Sequence, residues 1–185
     1  MLNNTQEFIK YDFTLFYKMK QKLSITSKLE EVLVFSDGRE IFILDNIPNA
    51  TPKKIASRDD WVTALCSHDG KLYDGGAYEK VFETLSGREI ASRDDWVRAL
   101  CSHDGKLYDG GDYEKVFETL SGREIASRKG WVRALCSHDG KLYDGGDYRK
   151  VFETLSGREI ASRKGWVRAL CSHQRDYFVN AGVLK

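Results

Sequence analysis

From Trp61 onward one pattern of hydrophobic and polar positions recurs. "WVTALCSHDGKLYDGG" begins at Trp61, "WVRALCSHDGKLYDGG" at Trp96 and again at Trp131, and "WVRALCSH" at Trp166, a period of 35 residues. Each full unit divides into four short segments. "WVTALCSH" runs into the turn Asp69-Gly70, "KLYDGG" closes on a Gly pair, "EKVFETL" ends at Ser86-Gly87, and "REIASR" leads to the next Trp. Val62, Ala64 and Cys66 fall on one side of an alternating strand, and Thr63 and Leu65 on the other. Val81 and Leu85 likewise oppose Phe82. Alternation interrupted by a turn roughly every nine residues predicts a four-stranded antiparallel meander. Asp-Gly and Ser-Gly tolerate the positive φ that tight hairpins need. Val, Tyr, Phe and Thr dominate, and the segments are too short to stand as helices.

Both faces of such a meander carry apolar side chains, so each sheet must lie between copies of itself. Radial stacking of four-stranded sheets makes a β-propeller, and closure into a ring removes the exposed end faces. "KVFETLSGREI" resembles the WD-repeat strand pattern of a β-branched residue, an aromatic, an acid, a Thr/Ser-Gly turn and a basic residue. "VTALCSHDGKLYDGG" resembles the V-x-A-L…D-G-x-L-x-x-G core of WD-like and sensor-type propellers. The resemblance covers residues 61–185 well and 30–60 loosely, and it implies an all-β propeller. The chain departs from the WD pattern in lacking a Gly-His pair and a Trp-Asp pair closing the third strand, and in its shorter period.

The expected organisation is one domain, 1–185, of five blades. Units 61–95, 96–130 and 131–165 are full blades. Residues 30–60 form a degenerate one, in which "EEVLVFSDGREIFILDN" aligns with the first hairpin and "KKIASRDDW" with the fourth strand, so that "NIPNATP" takes the place of the third strand. Ile9, Tyr11, Phe13, Leu15, Tyr17 and Met19 alternate with polar residues, interrupted only by Phe16. Strands in 7–28 and in 166–185 would together make the closing blade. The alternative is a larger ring completed by a second chain, a homodimer.

Composition narrows the function classes. Hydrophobic residues make up 41% and charged residues 31% of 185, with a net charge of +1, so no bulk attraction to nucleic acid or anionic membrane is expected. The N-terminus shows no signal peptide, and no run is long enough to span a membrane as a helix. Cys66, Cys101, Cys136 and Cys171 occupy one repeat position, too far apart in stacked units to pair. They are expected to be reduced, buried small hydrophobes, which favours a cytoplasmic setting.

The full copies differ at few positions. Thr63 becomes Arg98, Arg133 and Arg168; Ala77 becomes Asp112 and Asp147; Glu79 and Glu114 become Arg149; Asp94-Asp95 becomes Lys129-Gly130 and Lys164-Gly165. All lie in or beside the loops of one face. Either these loops pack least and tolerate change, or this face binds a ligand. Its candidate anchors are Trp61, Trp96, Trp131 and Trp166, beside Arg58, Arg93, Arg128 and Arg163, with Tyr78, Tyr113 and Tyr148 on the neighbouring loop. Aromatic and Arg side chains are favoured interface anchors. The structural alternatives are a Trp wedged between blades and an Arg paired with Asp74, Asp109 or Asp144.

The opposite face carries His68, His103, His138 and His173 near Cys, but the spacing matches no metal motif. The consecutive C-S-H-D residues cannot take triad geometry, and the inner strand offers no carboxylate pair for glycoside hydrolysis. The expectation is therefore a non-enzymatic scaffold without cofactor or metal that binds a protein or peptide. A lectin-like module stacking sugars on Trp or Tyr is the alternative. Nucleic-acid binding through Arg98, Arg133, Arg149 and Arg168 ranks third, and recent amplification without a selected ligand would also explain the near-identical copies.

Overall fold

The computed structural model describes residues 32–45 and 50–172. The strands expected within 7–28, and those beyond Ser172, lie outside the described residues. The described residues form one three-stranded and three four-stranded antiparallel sheets. The first contains β1 (Val32–Asp37), β2 (Glu40–Asp45) and β3 (Lys53–Ser57). The second contains β4 (Val62–His68), β5 (Lys71–Gly76), β6 (Lys80–Glu83) and β7 (Arg88–Ser92). The third contains β8 (Val97–His103), β9 (Lys106–Gly111), β10 (Lys115–Glu118) and β11 (Arg123–Ser127). The fourth contains β12 (Val132–His138), β13 (Lys141–Gly146), β14 (Lys150–Glu153) and β15 (Arg158–Ser162). Each is a plain meander in chain order, as the turn spacing predicts. Asp69 and Gly70 have φ of 47° and 68°, the pair of left-handed residues a two-residue hairpin requires.

The sheets stack as a propeller-like repeat, with β8 between β4 and β12. The core lies between sheets rather than within them. Tyr73 and Val81 of the second sheet pack with Val97 and Leu107 of the third, and Tyr108 and Val116 of the third pack with Val132 and Leu142 of the fourth. Close approach is set by glycine. A Cβ on Gly75 would meet Val97 Cγ1 at 2.6 Å, and one on Gly110 would meet Val132 Cγ1 at 2.6 Å. After β15, Trp166–Ser172 continues the contact without a partner strand among the described residues. Val167 seats against Gly145, its amide donates to the Gly146 carbonyl at 3.0 Å, and Ser172 Oγ lies 2.7 Å from His138 Nδ1. The corresponding His–Ser pairs, His68 with Ser102 and His103 with Ser137, join the complete sheets.

Three features differ from the sequence reading. Among the described residues the first sheet lacks a first strand, not its third. Ile41 pairs with Ala56 and Phe42 with Lys54 across a bulge, the pattern by which Val81 pairs with Ala91 and Phe82 with Glu89. β1–β3 therefore correspond to the second, third and fourth strands of a full unit. Asp37-Gly38 closes the second hairpin rather than the first, and Ser36, which donates to the Val62 carbonyl at 3.3 Å, stands where Gly75 stands in the next sheet. Asp-Gly suits either hairpin, so turn chemistry alone misassigns it. Next, Leu85 is 72% exposed, because it belongs to the turn after β6 and not to the strand. Finally, the four cysteines are unpaired, but only Cys101 is buried; Cys66 and Cys136 are half-buried, and Cys171 is exposed with no further sheet over it among the described residues. Between the first and second sheets a cavity of about 480 Å³ is lined by Val32, Val34, Ile43, Ile55, Leu72 and Leu85, among others.

Candidate binding face

The candidate residues divide into two layers. The lower layer is a buried network repeated in three sheets. Asp74 is fully buried. Its Oδ1 accepts from Arg58 Nε at 2.7 Å and Tyr78 Oη at 2.6 Å, and its Oδ2 from Arg58 Nη2 at 2.6 Å and Thr84 Oγ1 at 2.8 Å. Asp109 takes the same bonds from Arg93 and Tyr113, and Asp144 from Arg128 and Tyr148. Each Arg precedes the sheet it locks, so the bond ties the inter-sheet linker to the second strand. Each guanidinium also lies over a ring of its sheet, 4.7 Å from the Phe82 centroid and 4.4 Å from those of Phe117 and Phe152. Burial lowers the Arg58, Arg93 and Arg128 pKa values, and the aspartate pairing overrides it to raise all three. Burial, reinforced by the adjacent carboxylate, pushes the Tyr78, Tyr113 and Tyr148 phenols far above their ordinary value. These hydroxyls stay protonated and donate.

Arg58, Arg93 and Arg128 therefore direct their guanidinium groups into the protein, as do the hydroxyls of Tyr78, Tyr113 and Tyr148. The pairing with Asp74, Asp109 and Asp144 was one of the two sequence readings of these arginines. Arg163 donates to the Ser162 carbonyl at 3.2 Å and has no carboxylate partner among the described residues. The first sheet has no such network among the described residues: Phe35 takes the aspartate's place opposite Phe42, with ring centroids 5.4 Å apart.

The upper layer is a row of tryptophans. Trp61 is 60% exposed, Trp166 49% and Trp131 38%, so none of these is wedged between sheets; Trp96 is half-buried. Guanidinium groups alternate with them. Arg98 lies 4.1 Å from the Trp96 ring centroid and 5.6 Å from that of Trp131. Arg133 lies 4.8 Å from Trp131 and 5.1 Å from Trp166, and Arg168 5.1 Å from Trp166. Carboxylates hold two of these cations in place. Arg98 Nε and Nη2 donate to Asp112 at 2.9 and 2.7 Å, and Arg133 makes the same fork with Asp147. A bidentate fork fixes the guanidinium plane, which suits it to stack on indole.

In the sequence the Thr63/Arg98 and Ala77/Asp112 exchanges stand as separate differences. They are contact partners. The signal was present: both exchanges occur in the same copies, at a constant spacing of 14 residues.

On the opposite face each of His68, His103 and His138 has Nδ1 in a bond to a serine of the next unit. The Cys101 thiol is raised to about 11 by burial and then by Cys66 and Cys136. Burial also raises the Cys66 thiol, so the buried thiols are poor nucleophiles at neutral pH. Among the described residues no three potential metal ligands converge, and no helix is long and apolar enough to cross a membrane.

No family model matches the chain, and no curated protein does. Solved structures do align with it. A chain of the mitotic checkpoint complex crystal structure aligns with a TM-score of 0.60 at 15% identity, over 77% of this chain and 52% of that one. The computationally designed Ika8 protein aligns with a TM-score of 0.49 at 21% identity, over 78% of this chain and 53% of that one. The designed Ika4 protein also aligns with a TM-score of 0.49, at 22% identity, over 67% of this chain and 89% of that one. The chain thus spans about half the length of two of these three. The likeness to the mitotic checkpoint chain is one of fold: repeated antiparallel sheets stacked side by side.

Proposed function

We propose that this chain is a non-enzymatic interaction scaffold of the WD-repeat-like propeller class, which binds a protein or peptide partner across its Trp/Arg face in a reducing, cytoplasmic setting. The observation that carries the reading is the row of exposed Trp61, Trp131 and Trp166 and half-buried Trp96, interleaved with Arg98, Arg133 and Arg168, of which the first two are clamped by carboxylates. Repetition supplies several similar subsites, through which weak contacts add. The fold likeness to a chain of a protein complex is compatible with this role. Guanidinium groups over Trp96, Trp131 and Trp166 compete with sugar rings for the indoles, which favours a peptide over a carbohydrate. The clamping of Arg98 and Arg133 by Asp112 and Asp147 weakens any basic crescent for nucleic acid. As for the ring, the five-blade organisation closed by both termini remains our proposal. It is supported by Trp166–Ser172, which already lies on the fourth sheet as a first strand does.

The test is pull-down with the intact chain against Trp61→Ala/Trp131→Ala, with a glycan array in parallel. Loss of captured protein with the fold intact supports the scaffold. Retained capture, or binding only to glycans, overturns it.

A further inference from the structure

Resting on that reading, we infer that the interval between Trp61 and Trp96 is a subsite for a cationic side chain, an arginine, of the partner peptide. In the following intervals the chain fills this position itself. Arg98 lies between Trp96 and Trp131, and Arg133 between Trp131 and Trp166, each within 6 Å of both rings. The repeat places Thr63 in the interval before them. Its hydroxyl donates to the Val97 carbonyl, so the side chain ends at the backbone and does not reach the indoles. The carboxylate that clamps the guanidinium elsewhere, Asp112 or Asp147, is here Ala77. Both halves of the internal ion pair are thus exchanged together, and only at this interval. Among the described residues Trp131 and Trp166 each take two guanidinium groups, Trp96 takes one and Trp61 none.

The charges around the interval favour a cation from outside. Asp60 Oδ1 accepts the Trp61 amide and Asp95 Oδ1 the Trp96 amide, each at 2.8 Å, which sets a carboxylate at the backbone of each tryptophan. Asp59, Asp94 and Glu79 are exposed in the same loops, and Glu79 is held next to Arg93 by its carbonyl at 2.8 Å. At the far end of the row these positions are Lys129-Gly130, Lys164-Gly165 and Arg149. The gradient runs from acidic at Trp61 to basic at Trp166, so an arginine entering the row is drawn to the first interval and repelled from the last. Two indoles with nearby carboxylates offer a guanidinium both cation–π contact and charge pairing.

The experiment titrates the folded chain with a blocked Gly-Gly-Arg-Gly-Gly peptide and its citrulline counterpart, followed by Trp fluorescence and calorimetry. A peptide-display selection on the same chain supplies longer ligands. The decisive variant is Thr63→Arg/Ala77→Asp, which writes the internal ion pair of the other intervals into this one. We expect the arginine peptide to bind at least about tenfold tighter than citrulline. We expect the double variant, with unchanged circular dichroism, to lose that preference. We also expect selected peptides to carry a basic residue and to weaken on the variant. Equal affinity for arginine and citrulline, or undiminished binding to the variant, overturns the subsite. If selected peptides still bind the tryptophan face in that case, the scaffold stands without the subsite. If no peptide is selected at all, both readings fall.

Discussion

Replacing Asp109 by Asn tests the claim that the buried network, rather than generic packing, locks successive sheets. Asp109 is fully buried and accepts from Arg93 Nε at 2.7 Å, Arg93 Nη2 at 2.6 Å and the Tyr113 hydroxyl. The Arg93 side chain is itself only 9% exposed. Asn preserves shape but removes the charge and turns an N–H₂ group toward a donor. The guanidinium is then left buried without a counter-charge. Breaking one side of a buried ion pair costs about 3–5 kcal/mol. With a urea slope near 2 kcal/mol per M for a chain of this size, the midpoint should fall by about 1.5–2.5 M. Trp fluorescence in a urea titration reads this. Hydrogen exchange at β9 and β10 shows whether the loss is local, since repeat arrays can open unit by unit. Removing the network altogether, as Asp109→Leu/Arg93→Met/Tyr113→Phe, should recover most of the loss, because an apolar set of similar volume avoids the charge desolvation. The first sheet already does this with Phe35 against Phe42. A midpoint shift under about 0.5 M for Asp109→Asn, at unchanged slope, would refute the reasoning.

Gly110→Ala should destabilise by about 1–3 kcal/mol through its clash with Val132, and Val132→Ala should relieve part of it in a double-mutant cycle read by urea titration. Trp61→Ala, at a site 60% exposed, should shift stability by less than about 1 kcal/mol while removing the arginine-peptide fluorescence response. Tyr78, Tyr113 and Tyr148 hold their protons above the pH at which the unfolded chain releases them, about 10, so the folded state binds more protons there. Stability should therefore decline as pH rises past 10, by about 1.4 kcal/mol per pH unit per tyrosine, and an ultraviolet titration should show these phenols ionising only on unfolding. Cys171 should react with a thiol reagent at neutral pH well before buried Cys101, as peptide mapping of the labelled chain will show.

Much of the fold was legible because each unit states its turns. Asp69-Gly70, Gly75-Gly76 and Ser86-Gly87 bound strands whose alternation places Val62 and Val81 inside. The first sheet was harder. Its Asp37-Gly38 fits either of two hairpins, and only pairing across the sheet, Ile41 with Ala56, decides between them. The site was half legible. Trp and Arg flagged the face, but sequence spacing does not tell an outward guanidinium from one turned onto a buried aspartate. Arg93 and Arg98 are five residues apart and point into different layers. What separates them is the partner: Asp109 lies fully buried within β9, whereas Asp112 lies in the loop beyond it.

The few differences among the copies also bear on whether the face is selected. If the loops merely tolerated change, substitutions would fall independently. At Thr63 and Ala77 they do not. Asp112 is buried to 8% exposure, and it is stable there because Arg98 forks onto it. An aspartate at position 77 facing Thr63 would be a buried charge without a partner, and an arginine at 63 facing Ala77 would lose its clamp. Packing therefore requires that the two positions change together, but it is indifferent to which pair is present. The loop acids obey no such constraint. Asp59, Asp94 and Glu79 are exposed, so stability does not dictate their sign. Yet they are acidic beside the interval where the ion pair is missing, while of their counterparts where it or its arginine is kept, Lys129, Lys164 and Arg149 are basic and Glu114 alone stays acidic. Coordination between a buried pair and exposed charges that packing does not link is what a ligand reading both would produce.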